Sequence, residues 1–334
     1  MMKSKDIFGE YAGELKVVEQ RLMDIFRSDA FLIPVVGRHI LSSGGKRIRP
    51  LFLLLSADLC GYKGENRATL AAIIEAIHTA SLLHDDVIDS AETRRGRPAA
   101  NALWGNPVVV LIGDFLYSNA LRLAVFQKNQ RIMEALSEAT TRMTEGEVLQ
   151  LNKIGDPDIT REEYFTIISA KTGVLISAAC RIAGILARVP EEREAALARF
   201  GLKVGIAFQL ADDVLDYVAS QRDLGKRLGK DLEEGKITLP LLHLLKVAAE
   251  EEREEVKGII REALALPREE RAEAGSRNLD RITELFARYR VIEESLQSAR
   301  DLIGEAKAEL AVFPESREKE VLLAMAEYAM QRKE

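Results

Sequence analysis

Two near-copies of one acidic motif, Leu83-His84-Asp85-Asp86-Val87-Ile88-Asp89 and Leu210-Ala211-Asp212-Asp213-Val214-Leu215-Asp216, lie far apart inside apolar sequence of helical period. Asp85 and Asp89 are four residues apart, so a helix projects them from one side with Asp86 flanking them. Asp212 and Asp216 repeat that spacing, and Gln209 joins their face three and seven residues earlier. The run Val204–Leu210 before them is largely apolar, so this cluster does not read as a solvated face. Unpaired carboxylates in apolar surroundings are costly, and six of them call for cations. No histidine or cysteine cluster accompanies them, which selects a hard, oxygen-seeking ion such as magnesium. Such ions between two carboxylate sets suit a diphosphate ester.

Periodicity gives the fold class. Apolar residues recur at three- and four-residue steps over 66–90 (Leu70, Ile73, Ile74, Ile77, then Ser81, His84, Val87 and Ile88), and 103–127, 130–152, 161–188, 191–219 and 236–250 read alike. No alternating strand run stands out. Breaks fall at Ser43-Gly44-Gly45, Gly61–Gly64, Gly155-Asp156-Pro157 and Gly225–Gly235, none long enough for an interdomain linker. The expectation is one all-α domain over residues 1–334, a helical bundle. The charged stretch 249–278 reads as a solvated helical face.

Bulk properties exclude several classes. A net charge of −6 over 334 residues argues against a nucleic-acid surface. Cys60 and Cys180 lack metal-ligand spacing and read as reduced core thiols. The N-terminus carries no signal-type apolar region. No apolar run reaches the roughly 18 residues that span a bilayer, so no transmembrane segment is expected, and a soluble, cytoplasmic protein is.

An anion site complements the carboxylates. Gly44-Gly45-Lys46-Arg47-Ile48-Arg49-Pro50 places two glycines and three cations before a helix that Pro50 can open. Free amides at that start, with Lys and Arg side chains, make an anion-binding corner. Arg94-Arg95-Gly96-Arg97 follows the first acidic motif, close enough that its cations would neutralise Asp89 if they did nothing else. Lys171-Thr172-Gly173 sits in a helical stretch, followed at a distance by Lys226, Lys230 and Lys236. Lys171 and Lys236 interrupt apolar context, which favours a ligand over solvent. His78 falls on the Asp85–Asp89 face about 10 Å down the helix, a position suited to a second diphosphate. His39, His84 and His243 read as structural.

In this order, Gly-Gly-Lys-x-x-Arg-Pro, the two Asp-Asp-x-x-Asp motifs, Arg-Arg-Gly, Gly113-Asp114-Phe115-Leu116, Glu145-Gly146-Glu147-Val148-Leu149-Gln150, Lys171-Thr172, Phe208-Gln209 and Gly235-Lys236-Ile237-Thr238-Leu239-Pro240 resemble the trans-polyprenyl diphosphate synthases, with the bacterial octaprenyl group nearest. The resemblance implies an all-α fold of the isoprenoid synthase type, a helical bundle around a central cavity, in a homodimer that condenses isopentenyl diphosphate head-to-tail with an allylic diphosphate, using magnesium. It implies that Asp85 and Asp89, supported by Asp86, ligate magnesium on the allylic diphosphate, with Asp212 the main ligand of the second motif and Asp213 and Asp216 near it. Arg94, Lys171, Thr172, Gln209 and Lys226 would hold the allylic substrate, and Lys46, Arg49, His78 and Arg95 isopentenyl diphosphate. Lys230 departs from the small or acidic residue of many relatives. No side chain stands out as the base, so the released diphosphate is the expected proton acceptor.

Ala80 and Ser81, about one turn before Asp85, are small where a Phe or Tyr would close the cavity. Each added isoprene unit buries about five carbons, roughly 4 kcal/mol at about 0.8 per methylene, so a steric floor must end growth. A product of seven to ten units is expected, eight by resemblance, for quinone side chains, with Leu116, Leu121, Phe126, Leu136 and Met143 as lower-wall candidates. The alternatives are a shorter, geranylgeranyl-type synthase and a non-catalytic subunit of a two-component synthase. A terpene cyclase fits less well, since only 6% of residues are aromatic.

Overall fold

A computed structural model describes residues 4–218, 229–266, 268–328 and 330. Helices occupy nearly every expected stretch: α1 (Ser4–Glu10), α2 (Ala12–Ile25), α3 (Leu32–Ser42), α4 (Ile48–Leu59), α5 (Asn66–Ile88), α6 (Ala100–Trp104), α7 (Asn106–Val125), α8 (Gln130–Asn152), α9 (Arg161–Ile168), α10 (Val174–Ala187) and α11 (Glu191–Val218). Beyond them come α12 (Lys230–Glu233), α13 (Leu239–Val247), α14 (Glu250–Ala265), α15 (Arg268–Arg288), α16 (Val291–Glu309) and α17 (Arg317–Tyr328). Among the described residues the only strands are β1 (Thr93–Arg94) and β2 (Arg97–Pro98). The chain is all-α, as its periodicity dictates, and forms two compact units.

The first unit contains residues 1–141, 175–201 and 307–325. Its core is built on α4 and α5. Leu51, Phe52, Leu53, Leu54 and Leu55 are all buried, so α4 is covered on every side, as a helix apolar all round must be. Against it α5 buries Leu70, Ile73, Ile74, Ile77 and Leu83, and α5 also packs on α2 and α7. The α5–α7 approach depends on Gly113, because a Cβ there would lie 2.4 Å from the His84 ring. Pro50 does not open α4: the helix begins two residues earlier, behind Arg47 in the left-handed region at φ 50°. Proline is tolerated third in the helix because N–H groups of the first turn have no helical partner.

The second unit contains residues 142–174, 202–306 and 326–334. Helix α9 starts on a reciprocal capping box: Thr160 Oγ1 accepts from Glu163 N, and the Glu163 carboxylate accepts from Thr160 N. Helix α9 then widens into a π turn over Ser169–Gly173. Glycine at 205 allows α11 to touch that turn, since a Cβ there would fall 2.7 Å from the Gly173 Cα. The charged segment after residue 249 is helical, in α14 and α15.

Among the described residues two helical spans, 106–125 and 161–187, are long and apolar enough to cross a membrane by length and composition alone. The second is 72% buried and is core; the first is only 33% buried.

Candidate active site

In the first unit the acidic motif lies on the last turn of α5. Asp89 closes the helix, donating its N–H to the Asp85 carbonyl at 2.8 Å, so the two carboxylates sit one turn apart. The stop is a Schellman-type end: Ser90 turns left-handed at φ 46° and Ala91 N bonds back to the Asp86 carbonyl at 2.8 Å. Asp85 and Asp89 remain partly exposed while Asp86 is buried. The basic cluster that follows is a tight hairpin. Arg94 pairs with Arg97 across it, and Arg95 and Gly96 both have positive φ (51° and 73°), the signature of a type I′ turn. Arg94 folds back on Asp86, with Nε 2.8 Å from both carboxylate oxygens and Nη2 2.6 Å from Oδ1. The acid that Arg94 neutralises is thus Asp86, the buried member.

Three further bonds hold the hairpin. His39 Nε2 lies 3.0 Å from the Pro98 carbonyl, Arg97 donates to Ser42 Oγ at 2.8 Å, and Arg95 donates to the Gly44 carbonyl. Gly45 (φ 155°) is pressed between guanidinium groups: a Cβ there would meet Arg47 at 2.7 Å and Arg95 at 2.8 Å. Arg47, one of the three cations read as an anion corner, is instead buried and paired with Glu75 (3.1 Å) and Glu19 (3.2 Å). Lys46 is exposed. Arg49 donates to His78 Nε2 at 2.9 Å. A guanidinium has no acceptor, so Nε2 carries the lone pair and the imidazole proton sits on Nδ1. Burial, and then the charges of Arg49, Arg95, Arg94 and Arg47, hold the His78 pKa well below the usual imidazole range. His78, Arg94 and Arg95 line a cavity of about 40 Å³ with Thr79, Leu82 and Ala99. This end of the first unit therefore offers partly exposed carboxylates beside a neutral histidine and several arginines.

The second unit holds the remaining candidates. Lys171 and Thr172 lie in the π turn, a form that recurs at functional sites because it turns side chains out of helical register. Lys171 Nζ contacts Glu147 at 2.7 Å and donates to Gln150 Oε1 at 2.8 Å, which ties it to the Glu-Gly-Glu motif. Thr172 Oγ1 donates to Gln209 Oε1 at 2.8 Å, and Gln209 Nε2 donates to Asp213 Oδ1 at 2.8 Å. The other Asp213 oxygen accepts from Tyr164 Oη. Burial raises the Asp213 carboxyl to about 7 against those hydrogen bonds, and the charges of Asp212 and Asp216 push the same way. Asp216 Oδ2 accepts the Asp231 N–H at 2.9 Å, capping α12. Lys230 and Lys236 share Glu234, at 2.8 and 2.6 Å. Lys226 lies outside the described residues.

Sequence reasoning missed three residues here. Asp231 is a carboxyl whose pKa is raised by burial and by Asp216 and Asp213, so it belongs to the second acidic cluster. Its only sequence signal is an aspartate in the glycine-bounded loop after the motif. Glu75, a lone charge within the apolar run of α5, could have been flagged as a buried partner. Tyr164 carried no signal at all. Of the lower-wall candidates, Leu116 and Leu136 are buried, as is Met143 in the second unit, whereas Phe126 is 60% exposed at the end of α7 and is no wall.

Comparison with known families decides the class: the Polyprenyl synthetase family model matches residues 32–273. The chain belongs to that family. It is 40% identical to an octaprenyl diphosphate synthase of Escherichia coli K12 over 321 residues, 96% of each chain. Among solved structures it resembles a Caulobacter crescentus polyprenyl synthase complexed with calcium and isoprenyl diphosphate (TM-score 0.89, 36% identity, 98% and 97% of the two chains). It also resembles a decaprenyl diphosphate synthase of Rhodobacter capsulatus (TM-score 0.88, 35% identity, 99% of both). The fold is the all-α isoprenoid-synthase fold, and this polyprenyl synthetase family member is a prenyltransferase.

The donor set fits a divalent cation of that chemistry. Its candidate ligands are all carboxylates, and in the second cluster burial first, and neighbouring charges after it, raise the acids' pKa values, a penalty that a cation relieves. Among the described residues no three His, Cys, Asp or Glu side chains converge to enclose an ion.

Proposed function

We propose that this enzyme is a long-chain trans-polyprenyl diphosphate synthase, adding isopentenyl diphosphate head-to-tail to an allylic primer, farnesyl diphosphate, up to about eight units. The observation that carries the reading is the end of α5, where partly exposed Asp85 and Asp89 stand beside a separate group made by Arg49, neutral His78 and Arg95. One diphosphate is then held through metal by carboxylates and a second directly by cations. Asp85 and Asp89 of the first unit, and Asp212 and Asp216 of the second, are the carboxylates that would hold magnesium, which would supply charge neutralisation for a departing diphosphate. Arg94 of the first unit and Lys171 of the second, with Lys226, are the cations we assign to the allylic diphosphate. Lys46, Arg49, His78 and Arg95 position isopentenyl diphosphate, with His78 uncharged so that its Nε2 accepts from Arg49 and fixes that guanidinium. Thr172 and Gln209 turn oxygen lone pairs to the allylic cation, and apolar walls exclude water from it. The released diphosphate takes the proton lost after attack.

Product length follows from Ala80 and Ser81. Ala80 is buried, and Ser81 turns its hydroxyl to the His78 carbonyl of its own helix at 2.8 Å, so neither raises a barrier. The octaprenyl and decaprenyl relatives support a product in the long range. The apolar face of α7, with Val110 and Leu111 exposed, supports a homodimer. Relatives matched over nearly their whole length support one synthase domain over residues 1–334. Supply of quinone side chains from the cytoplasm is the role we assign, in line with two free cysteines. The test is a product assay with labelled isopentenyl diphosphate, farnesyl diphosphate and magnesium. A forty-carbon chain that Ser81→Phe shortens supports the reading. A product of twenty carbons or fewer from the unaltered enzyme refutes the length.

A further inference from the structure

Three sequence motifs of the second unit meet through a tyrosine that belongs to none of them. Tyr164, in α9, is 3% exposed. Its hydroxyl donates to Asp213 Oδ2 at 2.5 Å. The second arm reaches Asp213 from the opposite end: Thr172 Oγ1 donates to Gln209 Oε1, and Gln209 Nε2 donates to Asp213 Oδ1, each at 2.8 Å. Both arms are directional and both end on one carboxylate.

We propose that Tyr164 is a positioning residue for prenyl transfer, locking Asp213 so that Gln209 and Thr172 present lone pairs and not protons to the reacting carbon. A carboxamide turned by half a rotation exchanges its oxygen and its NH2 group. If Gln209 turned, its NH2 would face Thr172, whose oxygen would then have to accept and whose proton would be left to point at the substrate. That is the wrong polarity for a site where positive charge develops. Asp213 accepts on both oxygens, Oδ2 from Tyr164 and Oδ1 from Gln209 Nε2, so it takes the NH2 end of the carboxamide, and it does so only while its own rotamer is fixed. Tyr164 fixes it. Asp213 is thereby an anchor with both oxygens engaged. This inference rests on the reading of Thr172 and Gln209 as the oxygens nearest the allylic carbon.

The test is Tyr164→Phe, alone and combined with Thr172→Val, in the full-length magnesium-loaded enzyme with farnesyl and isopentenyl diphosphates. Tyr164→Phe is expected to lower kcat about tenfold, or about 1.4 kcal/mol, while KM for isopentenyl diphosphate stays within about twofold. Because the two residues act through one relay, Thr172→Val costs about tenfold in the parent and less than about threefold once Tyr164 is Phe. An unchanged kcat, fully additive losses, or a KM effect alone overturns the proposal. Should Tyr164→Phe not fold, Thr172→Ser and Thr172→Val carry the test: the relay needs a hydroxyl donor, so valine must lose about tenfold more than serine, and equal losses refute it. If the unaltered enzyme makes no prenyl product from these substrates, the functional reading itself fails and this inference with it.

Discussion

Gly44 and Gly45 separate a backbone requirement from a chemical one, because the two glycines meet different surroundings. A Cβ at Gly44 (φ 73°) would meet nothing within 4 Å, whereas one at Gly45 (φ 155°) would lie 2.7 Å from Arg47 and 2.8 Å from Arg95. Ordinary contact begins near 3.4 Å, so Gly45→Ala must push both guanidinium groups back, Arg47 by about 0.7 Å and Arg95 by about 0.6 Å. Arg47 is braced by Glu75 and Glu19, so the hairpin arginine Arg95 yields the more readily of the two. A hydrogen bond to a charged group contributes about 1.5–3 kcal/mol, and losing half of it costs about 0.8–1.5 kcal/mol, or roughly a four- to thirteenfold rise in KM for isopentenyl diphosphate. Either alanine adds about 1 kcal/mol of backbone strain, so both variants should melt a few degrees lower. The assay is steady-state kinetics at saturating primer alongside thermal melts. Gly45→Ala should raise KM and Gly44→Ala should leave it within about twofold. Equal KM values for the two variants would refute the reasoning and reduce Gly45 to a turn former.

Other outcomes follow from the same geometry. Glu75→Gln strands buried Arg47 with only half-exposed Glu19 for a partner, and should cost roughly 3 kcal/mol in urea unfolding; a loss under about 1 kcal/mol would show the pair is not desolvated. His78 has its folded pKa depressed, so the unfolded chain binds the extra proton. Its contribution is whole above the unfolded value near 6.5 and is lost as pH falls from there toward the folded value, by at most about 1.4 kcal/mol per pH unit. His78→Gln should flatten the stability profile over that window, and an unchanged slope would assign the acid loss elsewhere. Because no three described acids enclose an ion, magnesium alone should move the melting temperature little, while magnesium with inorganic diphosphate should raise it clearly. A full shift from magnesium alone would mean a preformed metal cage.

Helix positions were legible because burial on one face of a helix writes a 3.6-residue period that needs no knowledge of neighbours. The six aspartates were legible for a related reason: carboxylates inside apolar helices are anomalous wherever the helix packs. What misled was local chemistry with a distant cause. Pro50 looked like a helix opener, yet α4 starts at Ile48 because left-handed Arg47 ends the glycine turn. The arginine cluster gave no strand signal, since a two-residue hairpin has no room for alternation, and its positive-φ turn is needed only once Arg95 must reach the Gly44 carbonyl. Phe126 looked like a wall by its spacing and emerged 60% exposed, because helical period says which residues share a face and not which face is covered.

By itself the sequence determined an all-α chain, two carboxylate motifs on helices, and cations in an order that resembles one enzyme family, all properties of short windows. The tertiary structure alone decided which charges neutralise one another: Arg47 with Glu75, Arg94 with Asp86, and Tyr164, Gln209 and Thr172 in one chain of bonds ending on Asp213. Those partners lie four to forty-nine positions apart. Coulomb and hydrogen-bond energies depend on separation in space, so which acids and bases remain to meet a substrate is settled only when the helices pack.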